Sequence, residues 1–400
     1  MIVHLSADLP DAIDARKSKV VASHIASIEG EWPQHSYSLN RMTPGAARLV
    51  AAMARNPIAP ELPVRKVATG PETTSVSYAA PPKGIYHRAM LVRLAGWVAQ
   101  DMAGRGIQPQ LVHGHKLTVE GIVAHELAQR FDIPFAISLQ GNTDERILRA
   151  RPDLKPLFGR IWREAAVVFA YSPWIASLME STFGPREGAT VLLPCPTPED
   201  RILPPREAPP QVLTAFHLRL RKLKNIETLV EAVKRAGKTQ PEIELQIAGG
   251  GDAEDVAAIS AMIGDSRHSR LIGPVPHSEI QDRMNGMAGF AMVSKRESFG
   301  LVFIEALLAG CPIVYPRNMA VDGYFDDLPF AIAVDPDDAS EIAQALVRLV
   351  EQQAFLKDAL AQWQQSPAAQ LFRRDAIAAT YRQGLADAIG TTEASDPSAG

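Results

Sequence analysis

The feature that most restricts the fold is a series of short, largely apolar runs, each the length of a strand. They fall at 2–5, 110–113, 134–138, 166–170 and 190–193, then at 212–216, 243–248, 270–273, 289–293, 312–315 and 331–334. Consecutive apolar residues mean that both faces of a strand are covered, as in a parallel sheet with helices on each side. Helical patterns separate most of the runs. Among them are GIVAHELAQRF at 121–131, NIETLVEAVKRAG at 225–237 and ASEIAQALVRLVEQQ at 339–353, the last preceded by the capping candidates Asp337 and Asp338. This alternation predicts a doubly wound α/β architecture. Between the two series lies LPCPTPEDRILPPREAPPQ at 193–211, rich in proline and charge, which reads as a connection. The expected organisation is a domain over 1–195, a linker over 196–211 and a second domain over 212–371. An amphipathic helix over 372–390, crossing back to the first domain, and a flexible tail over 391–400 complete it. The proline-rich stretch 56–84 takes no assignment, and no internal repeat is present.

At 46% hydrophobic residues, a 400-residue chain can fill two such cores. The net charge of −4 does not suit a nucleic-acid partner, although the first 200 residues are slightly basic and the remainder acidic. Two cysteines, Cys195 and Cys311, make no disulfide framework. Met1 is not followed by a basic segment and a long apolar core, and no run of ~18 apolar residues occurs, so a cytoplasmic protein is expected.

Open α/β sheets bind ligands beyond the carboxyl ends of their strands. ESFGLVFIEALLAGCPIVYP, at 297–316, sits in such a place, between the run 289–293 and a helix over 301–309. At the start of that helix the N–H groups of Gly300, Leu301 and Val302 lack partners within the helix. They lie at its positive end, a seat for phosphate. Gly300 also allows a ligand close to the backbone. Glu297 precedes this seat and Glu305 follows it, and a carboxylate accepts two hydroxyls well. A sugar nucleotide fits the arrangement, with its diphosphate on the N–H groups, its sugar near Glu297 and its ribose near Glu305. The spacing alone equally describes a solvated glutamate pair around an ordinary helix cap. A second loop, FHLRLRKLKNIETLVEAV, follows the run 212–216. Its Arg219 and Lys224 could neutralise a diphosphate and stabilise it as a leaving group. Arg221 and Lys222 read as solvated.

RLRKLK at 219–224, the triple glycine 249–251, SRLIGPVPHSEI and the E-x7-E stretch from Glu297 to Glu305 occur in this order. Together they resemble the C-terminal domain of retaining glycosyltransferases of family 4, or group 1, over about 212–350. More loosely, the N-terminal half is similar through LVHGHKLTVEGIVAHELA, IPFAISLQGNTD and VVFAYSPW. The resemblance implies the GT-B fold, two Rossmann-like doubly wound domains facing a central cleft. It implies that Arg219 and Lys224 bind the donor diphosphate and that Glu297 binds the sugar hydroxyls. Phe299, Gly300, Leu301 and Val302 would line sugar and phosphates through their N–H groups, and Glu305 would hold the ribose. Gly250 would adjoin the donor, Ile272 in 270–273 would run beside the base, and His115 would face the sugar across the cleft. Glu297, His115, Arg219 and Lys224 then form the catalytic set. The implied reaction is retaining; it is further expected to be metal-independent and to use a UDP or GDP sugar with no separate cofactor. Its acceptor would be a small molecule, a lipid-linked compound or a growing polysaccharide.

Several stretches depart from the family pattern. The loop after the first strand, SADLPDAIDARKSK, has no glycine. Either Arg16, Lys17 or Lys19 meets an acceptor or donor phosphate there, or the loop serves the acceptor alone, or it is a solvated loop that feeds a helix over 17–28. Gln140 to Asp144 replaces the usual acidic motif and leaves Asn142 and Asp144 as cleft candidates. His113 and His115 lack a third ligand, so no metal site is expected. Asp335-Pro336-Asp337 has the form of a metal-binding D-x-D but precedes a helix, where a capping role fits better. The stretch 146–164 mixes six cations with Leu, Phe, Ile and Trp. It suits either peripheral contact with anionic lipid at the inner face of a membrane or a surface helix packed under the sheet. Two other functions stay open. A GT-B sugar-nucleotide epimerase would need acid/base carboxylates that the N-terminal half does not display. A noncatalytic sugar-nucleotide-binding homologue is disfavoured by the presence of all four of Arg219, Lys224, Glu297 and Glu305.

Overall fold

The first eight strands are β1 (Ile2–Ser6), β2 (Gln34–Met42), β3 (Val64–Thr69), β4 (Thr73–Ala79), β5 (Leu111–Gly114), β6 (Phe135–Leu139), β7 (Val167–Ala170) and β8 (Ala189–Leu192). They form one sheet in the order β3-β4-β2-β1-β5-β6-β7-β8. Every pairing is parallel except β3 with β4. β1 is buried along its whole length, with Ile2 in register between Gln34 and Leu111. The structure, a computed structural model, describes residues 1–393. Of the tail expected over 391–400, residues 391–393 belong to the last helix and the rest lies outside the described residues.

A second sheet holds β9 (Gln211–Ala215), β10 (Glu244–Ala248), β11 (Ser269–Gly273), β12 (Gly289–Ala291), β13 (Ile313–Pro316) and β14 (Ala331–Val334). Its order is β11-β10-β9-β12-β13-β14, and all its pairings are parallel. From β9 the chain runs outward to β11, then returns to β12 on the other side of β9. This is the reversal that opens a crevice beyond the strand ends. In the first sheet β1 occupies the same position, between β2 and β5.

Three strands, β2 to β4, are absent from the apolar series. β2 is buried through hydrogen-bonded polar residues instead. Ser38 Oγ donates to Leu9 O at 2.8 Å, and Asn40 Nδ2 donates to Asp11 Oδ2 at 2.6 Å. β4 is built from TTSVSYA, and β3 is a largely exposed edge. The helix expected over 17–28 spans only Val20–Ala26. Pro152 breaks the stretch 146–164 into helices Asn142–Ala150 and Lys155–Glu164. The second of these buries Phe158, Ile161 and Trp162. Asp338 caps the helix Ala339–Glu351, accepting from the N–H groups of Ser340 at 2.8 Å and Glu341 at 3.1 Å. Asp337, the last residue of the D-x-D, pairs with Lys295.

The chain divides into two compact units. Of the described residues, one comprises 1–171, 175–193 and 377–393; the other comprises 172–174 and 194–376. In the first, the helix Arg374–Glu393 buries Ile377, Tyr381 and Leu385 with Ile2, Leu111 and Phe169 of the sheet. In the second, the helices Ile226–Ala236 and Ala339–Glu351 bury Leu229, Val233, Leu346 and Leu349 with Val212, Leu245 and Val314. Among the described residues, no helix is long and apolar enough to cross a membrane.

Candidate functional site

The crevice of the second sheet is bounded by the loops that leave β9 and β12. Beyond β9, His217 accepts from the N–H of Arg219 at 3.3 Å and opens a short turn over Leu218–Leu220. Arg219 is exposed. Lys224 N–H donates to Leu220 O at 2.8 Å, and Asn225, at φ 55°, starts the next helix. Beyond β12, Lys295 N–H donates to Leu223 O at 2.9 Å and stitches the two loops together. Across this seam the Lys224 ammonium donates to Glu297 Oε2, with Ser294 Oγ 3.5 Å from the same oxygen. The side chains of Lys224 and Glu297 are 15% and 16% exposed, so both are open to a ligand.

Gly300 caps the helix Leu301–Leu308 at φ 75°, a left-handed conformation. A Cβ there would stand 2.6 Å from the Phe303 ring and 3.2 Å from Glu297 Cγ, so the chain itself requires glycine. Leu301 and Val302 are half-buried. Phe299 is 3% exposed, its ring edge-on to Tyr324 at 6.3 Å, which leaves its backbone for any ligand. Glu305 is 7% exposed and has no side-chain hydrogen bond or ion pair among the described residues. Burial pushes its carboxyl above the usual range; Glu199 adds to this, and His277 opposes it. Such a carboxyl is starved of donors, and hydroxyl groups supply them.

The triple glycine locks three strand ends together. Gly249 N–H donates to Gly273 O at 2.9 Å, and Gly250 O accepts from Leu218 N–H at 2.9 Å. A Cβ on Gly249 would lie 1.9 Å from Phe216 O, whereas one on Gly250 would meet only Pro274 at 3.8 Å. At the end of β11, Ile272 helps line a shallow cleft of about 460 Å³ with Pro274, Pro276 and Arg283. The second unit thus gathers Arg219, Lys224, Glu297, Gly300 and Glu305 onto the two loops at its switch point and the helix that follows. A cation, a carboxylate, a helix N-terminus and a second carboxylate in that order can receive a diphosphate flanked by two hydroxyl-bearing rings.

His115 differs from its expected setting. It lies in the first unit just past β5, fully buried, with its ring stacked on His113 at 4.0 Å. Its Nε2 is 3.3 Å from His4 Nδ1, while its Nδ1 has no hydrogen-bond partner. The expectation that no third ligand accompanies the H-x-H pair is also corrected, since His4 of β1 brings a third ring within reach. Both nitrogens of His113 are already engaged, by Tyr381 Oη at 2.8 Å and Ser138 Oγ at 2.9 Å. Nothing in the sequence flags His4, which sits inside the apolar run 2–5. Burial holds His4 down to about 4, and His113 and His115 well below the ordinary range. The rings are therefore neutral.

Asp144 is a buttress and not an open cleft residue. It is buried and accepts from Thr118 N–H at 2.8 Å and Thr118 Oγ1 at 2.7 Å. Asn142 is half-buried. In the loop after β1, Lys17 donates to Ser38 Oγ at 2.9 Å and faces Asp11 at 3.6 Å, and Arg16 pairs with Asp14 at 3.3 Å. Lys19 is exposed at the start of the helix. Sequence reasoning missed the buried Lys116 and Glu120 and their half-buried neighbour Asp8; Lys116 Nζ lies 2.5 Å from Asp8 and 3.7 Å from Glu120.

Comparison with known proteins adds an independent line. A family model described as "Glycosyl transferases group 1" matches residues 201–366, and one described as "Glycosyl transferase 4-like domain" matches 31–196. D-inositol 3-phosphate glycosyltransferase of Corynebacterium jeikeium is 31% identical over 140 residues, 33% of this chain and 33% of that protein. Phosphatidyl-myo-inositol mannosyltransferase of Mycobacterium tuberculosis is 28% identical over 136 residues, 32% of this chain and 35% of that protein. The chain spans about a third of the length of these curated relatives. In three dimensions it is similar to sucrose-phosphate synthase from Thermosynechococcus elongatus, with a TM-score of 0.64 and 19% identity, covering 96% of this chain and 99% of that one. The α,α-trehalose 6-phosphate synthase of Burkholderia multivorans gives a TM-score of 0.64 at 12% identity, covering 98% and 97%.

Proposed function

We propose that this chain, which belongs to the group 1 glycosyl transferases and has the GT-B fold, transfers a sugar from a nucleoside diphosphate sugar with retention and without a metal ion. The observation that carries the proposal is the Lys224–Glu297 pair beside the helix start at Gly300, at the switch point of the second sheet. In the donor complex the diphosphate takes Lys224 and Arg219, together with the N–H groups at Gly300, Leu301 and Val302. Glu297, released from Lys224, accepts from the sugar hydroxyls, and Glu305 accepts from the ribose diol. The backbone of Phe299 and Gly250 and the side chain of Ile272 complete the walls around phosphate and base. The donor is a UDP or GDP sugar.

The bond from the anomeric carbon to the diphosphate breaks, and negative charge grows on the leaving oxygens, where Arg219, Lys224 and the helix N-terminus stabilise it. The acceptor hydroxyl attacks from the same face, and its proton passes to the departing phosphate. The role that family resemblance gives His115 would require its ring to leave the cluster with His4 and His113; the donor site does not depend on it. A small molecule, a glycan or a lipid-linked compound, reached by peripheral contact with a membrane, supplies the accepting hydroxyl.

The test is calorimetry of the whole chain with UDP, GDP, dTDP, ADP and their common sugars in EDTA. One base class should bind, Glu305→Ala should abolish that binding, and turnover should survive chelation with the anomeric configuration kept. Turnover lost to EDTA, or an inverted product, would overturn the corresponding part. Binding of none of the four would overturn the donor reading itself.

A further inference from the structure

We propose that His4, His113 and His115 form a binding site for a transition-metal dication of the zinc type, which ties β1 to the end of β5. The site lies wholly within the first unit and does not rest on the transferase reading. One nitrogen from each ring falls within 4.8 Å of the others, and all three rings are fully buried.

The register of the sheet brings them together. His4 of β1 lies opposite His113 of β5, and His115 follows two positions later. Side chains so placed share one face of a sheet. The helix Arg374–Glu393 covers that face, with Tyr381 Oη 2.8 Å from His113 Nδ1.

Hydrogen bonding fixes what His4 presents. Gln34 Nε2 donates to the carbonyls of Ile25 at 3.3 Å and Ile28 at 3.5 Å. The amide oxygen therefore faces His4 Nε2, 3.0 Å away, and that nitrogen carries the proton of the ring. His4 Nδ1 is left as a bare lone pair aimed at His115. A metal-ligating histidine is held in this way, its second N–H donated to an oxygen outside the coordination sphere.

His115 can answer that lone pair. Its Nε2 faces His4 Nδ1, while its Nδ1 has no partner and can take up the proton when Nε2 binds an ion. The two facing nitrogens are 3.3 Å apart. Two nitrogens bound tetrahedrally to zinc at about 2.0–2.1 Å stand about 3.3–3.4 Å from each other. The pair is thus already spaced for the ion. His113 completes the set by giving up one hydroxyl partner, Ser138 or Tyr381, while the other keeps its ring oriented. Hydroxyls both donate and accept, so either nitrogen of His113 can hold the proton. Three neutral imidazoles with an oxygen in the fourth position are a zinc environment. Because the rings are buried, the ion enters before the covering helix docks.

The experiment uses the full chain, refolded from urea with zinc, with cobalt(II) or without metal; the folded chain is also titrated with zinc directly. Bound metal is counted after gel filtration. About one zinc per chain should be retained, and the loaded chain should melt at a higher temperature than the EDTA-treated one. Cobalt should give the visible bands of a tetrahedral nitrogen site without a thiolate charge-transfer band. His4→Phe and His115→Phe should each abolish retention. Gln34→Leu, which removes only the outer partner, should weaken binding about 10–100-fold. His24→Leu, a buried ring outside the set, should bind like the parent. No retained metal in the parent by either loading route would overturn the site, and that outcome depends on no variant folding. Full retention in both His4→Phe and His115→Phe would also overturn it, as would a cobalt–thiolate band, which would place the ion on Cys195 or Cys311. Turnover is followed on the same samples. A chain that binds zinc as expected, stays folded without it and loses turnover only then would count against metal-independent transfer and leave this site in place.

Discussion

Lys224 and Glu297 are 73 positions apart, and their ion pair closes the seam between the loops that leave the adjacent strands β9 and β12. In the proposed donor complex this pair would be exchanged for ligand groups, phosphate oxygens replacing the carboxylate at Lys224 and sugar hydroxyls replacing the ammonium at Glu297. Breaking it by mutation leaves a mostly buried charge uncompensated.

Lys224→Ala should therefore lower kcat by about 10²–10³, the loss typical of removing one preorganised donor from a developing anion. The nucleotide should bind only modestly less tightly. Steady-state kinetics and calorimetry on the same preparation check the split. Full kcat in the Arg219→Ala, Lys224→Ala double variant would remove both residues from the leaving-group role.

Glu305→Gln keeps the shape of a buried side chain but removes a carboxyl that burial already disfavours in its charged form. The melting temperature should hold or rise. Nucleotide affinity should fall about tenfold, or ~1.4 kcal/mol, through the lost ribose bonds. A variant that binds UDP and GDP like the parent would place the ribose elsewhere.

Glycine substitutions should separate backbone necessity from ligand contact. Gly249→Ala drives a Cβ onto Phe216 O, and Gly300→Ala meets both a left-handed φ and the Phe303 ring. Each should cost about 1–3 kcal/mol or more in urea unfolding. Gly250→Ala has room and should stay within about 0.5 kcal/mol of the parent. Equal losses at all three positions would contradict this geometry.

Acid should destabilise the first unit early. His4, His24, His113 and His115 are buried, and burial lowers the affinity of each for a proton, to about 4 for His4 and about 3 for His24. In the unfolded chain they titrate near the ordinary value of ~6.5. Below that pH the unfolded state binds more protons than the folded one. The stability is complete above ~6.5 and is lost as pH falls toward the folded values, by up to ~1.4 kcal/mol per pH unit for each ring. Urea midpoints between about pH 7 and pH 5 should fall accordingly. His24→Leu removes a ring whose two nitrogens have no partners, and should flatten that slope without loss at neutral pH.

The second sheet was legible because each of its strands falls on one of the apolar runs, whereas the order of those strands became visible only in the structure. Glu297, Gly300 and Glu305 were legible because helix geometry fixes their relation within one segment. β2 and β4 were not, since Ser36, Ser38, Thr74 and Ser75 are polar residues buried in strands that no apolar pattern announces. His115 was found as a residue but not as an environment. Its ring is held by His4, 111 positions away, and which face it shows is a property of the sheet.

The helix Arg374–Glu393 belongs to the core built on β1, so the first unit to be synthesised is the last that can be completed. During translation the sheet of β1 to β8 emerges with the surface meant for Ile377, Tyr381 and Leu385 still bare. Apart from residues 172–174, the second unit is continuous from 194 to 376 and has everything it needs before that helix leaves the ribosome. Maturation therefore runs against the usual N-to-C order. A chain cut short near residue 376 would keep an intact second unit and display an unfinished, aggregation-prone first one.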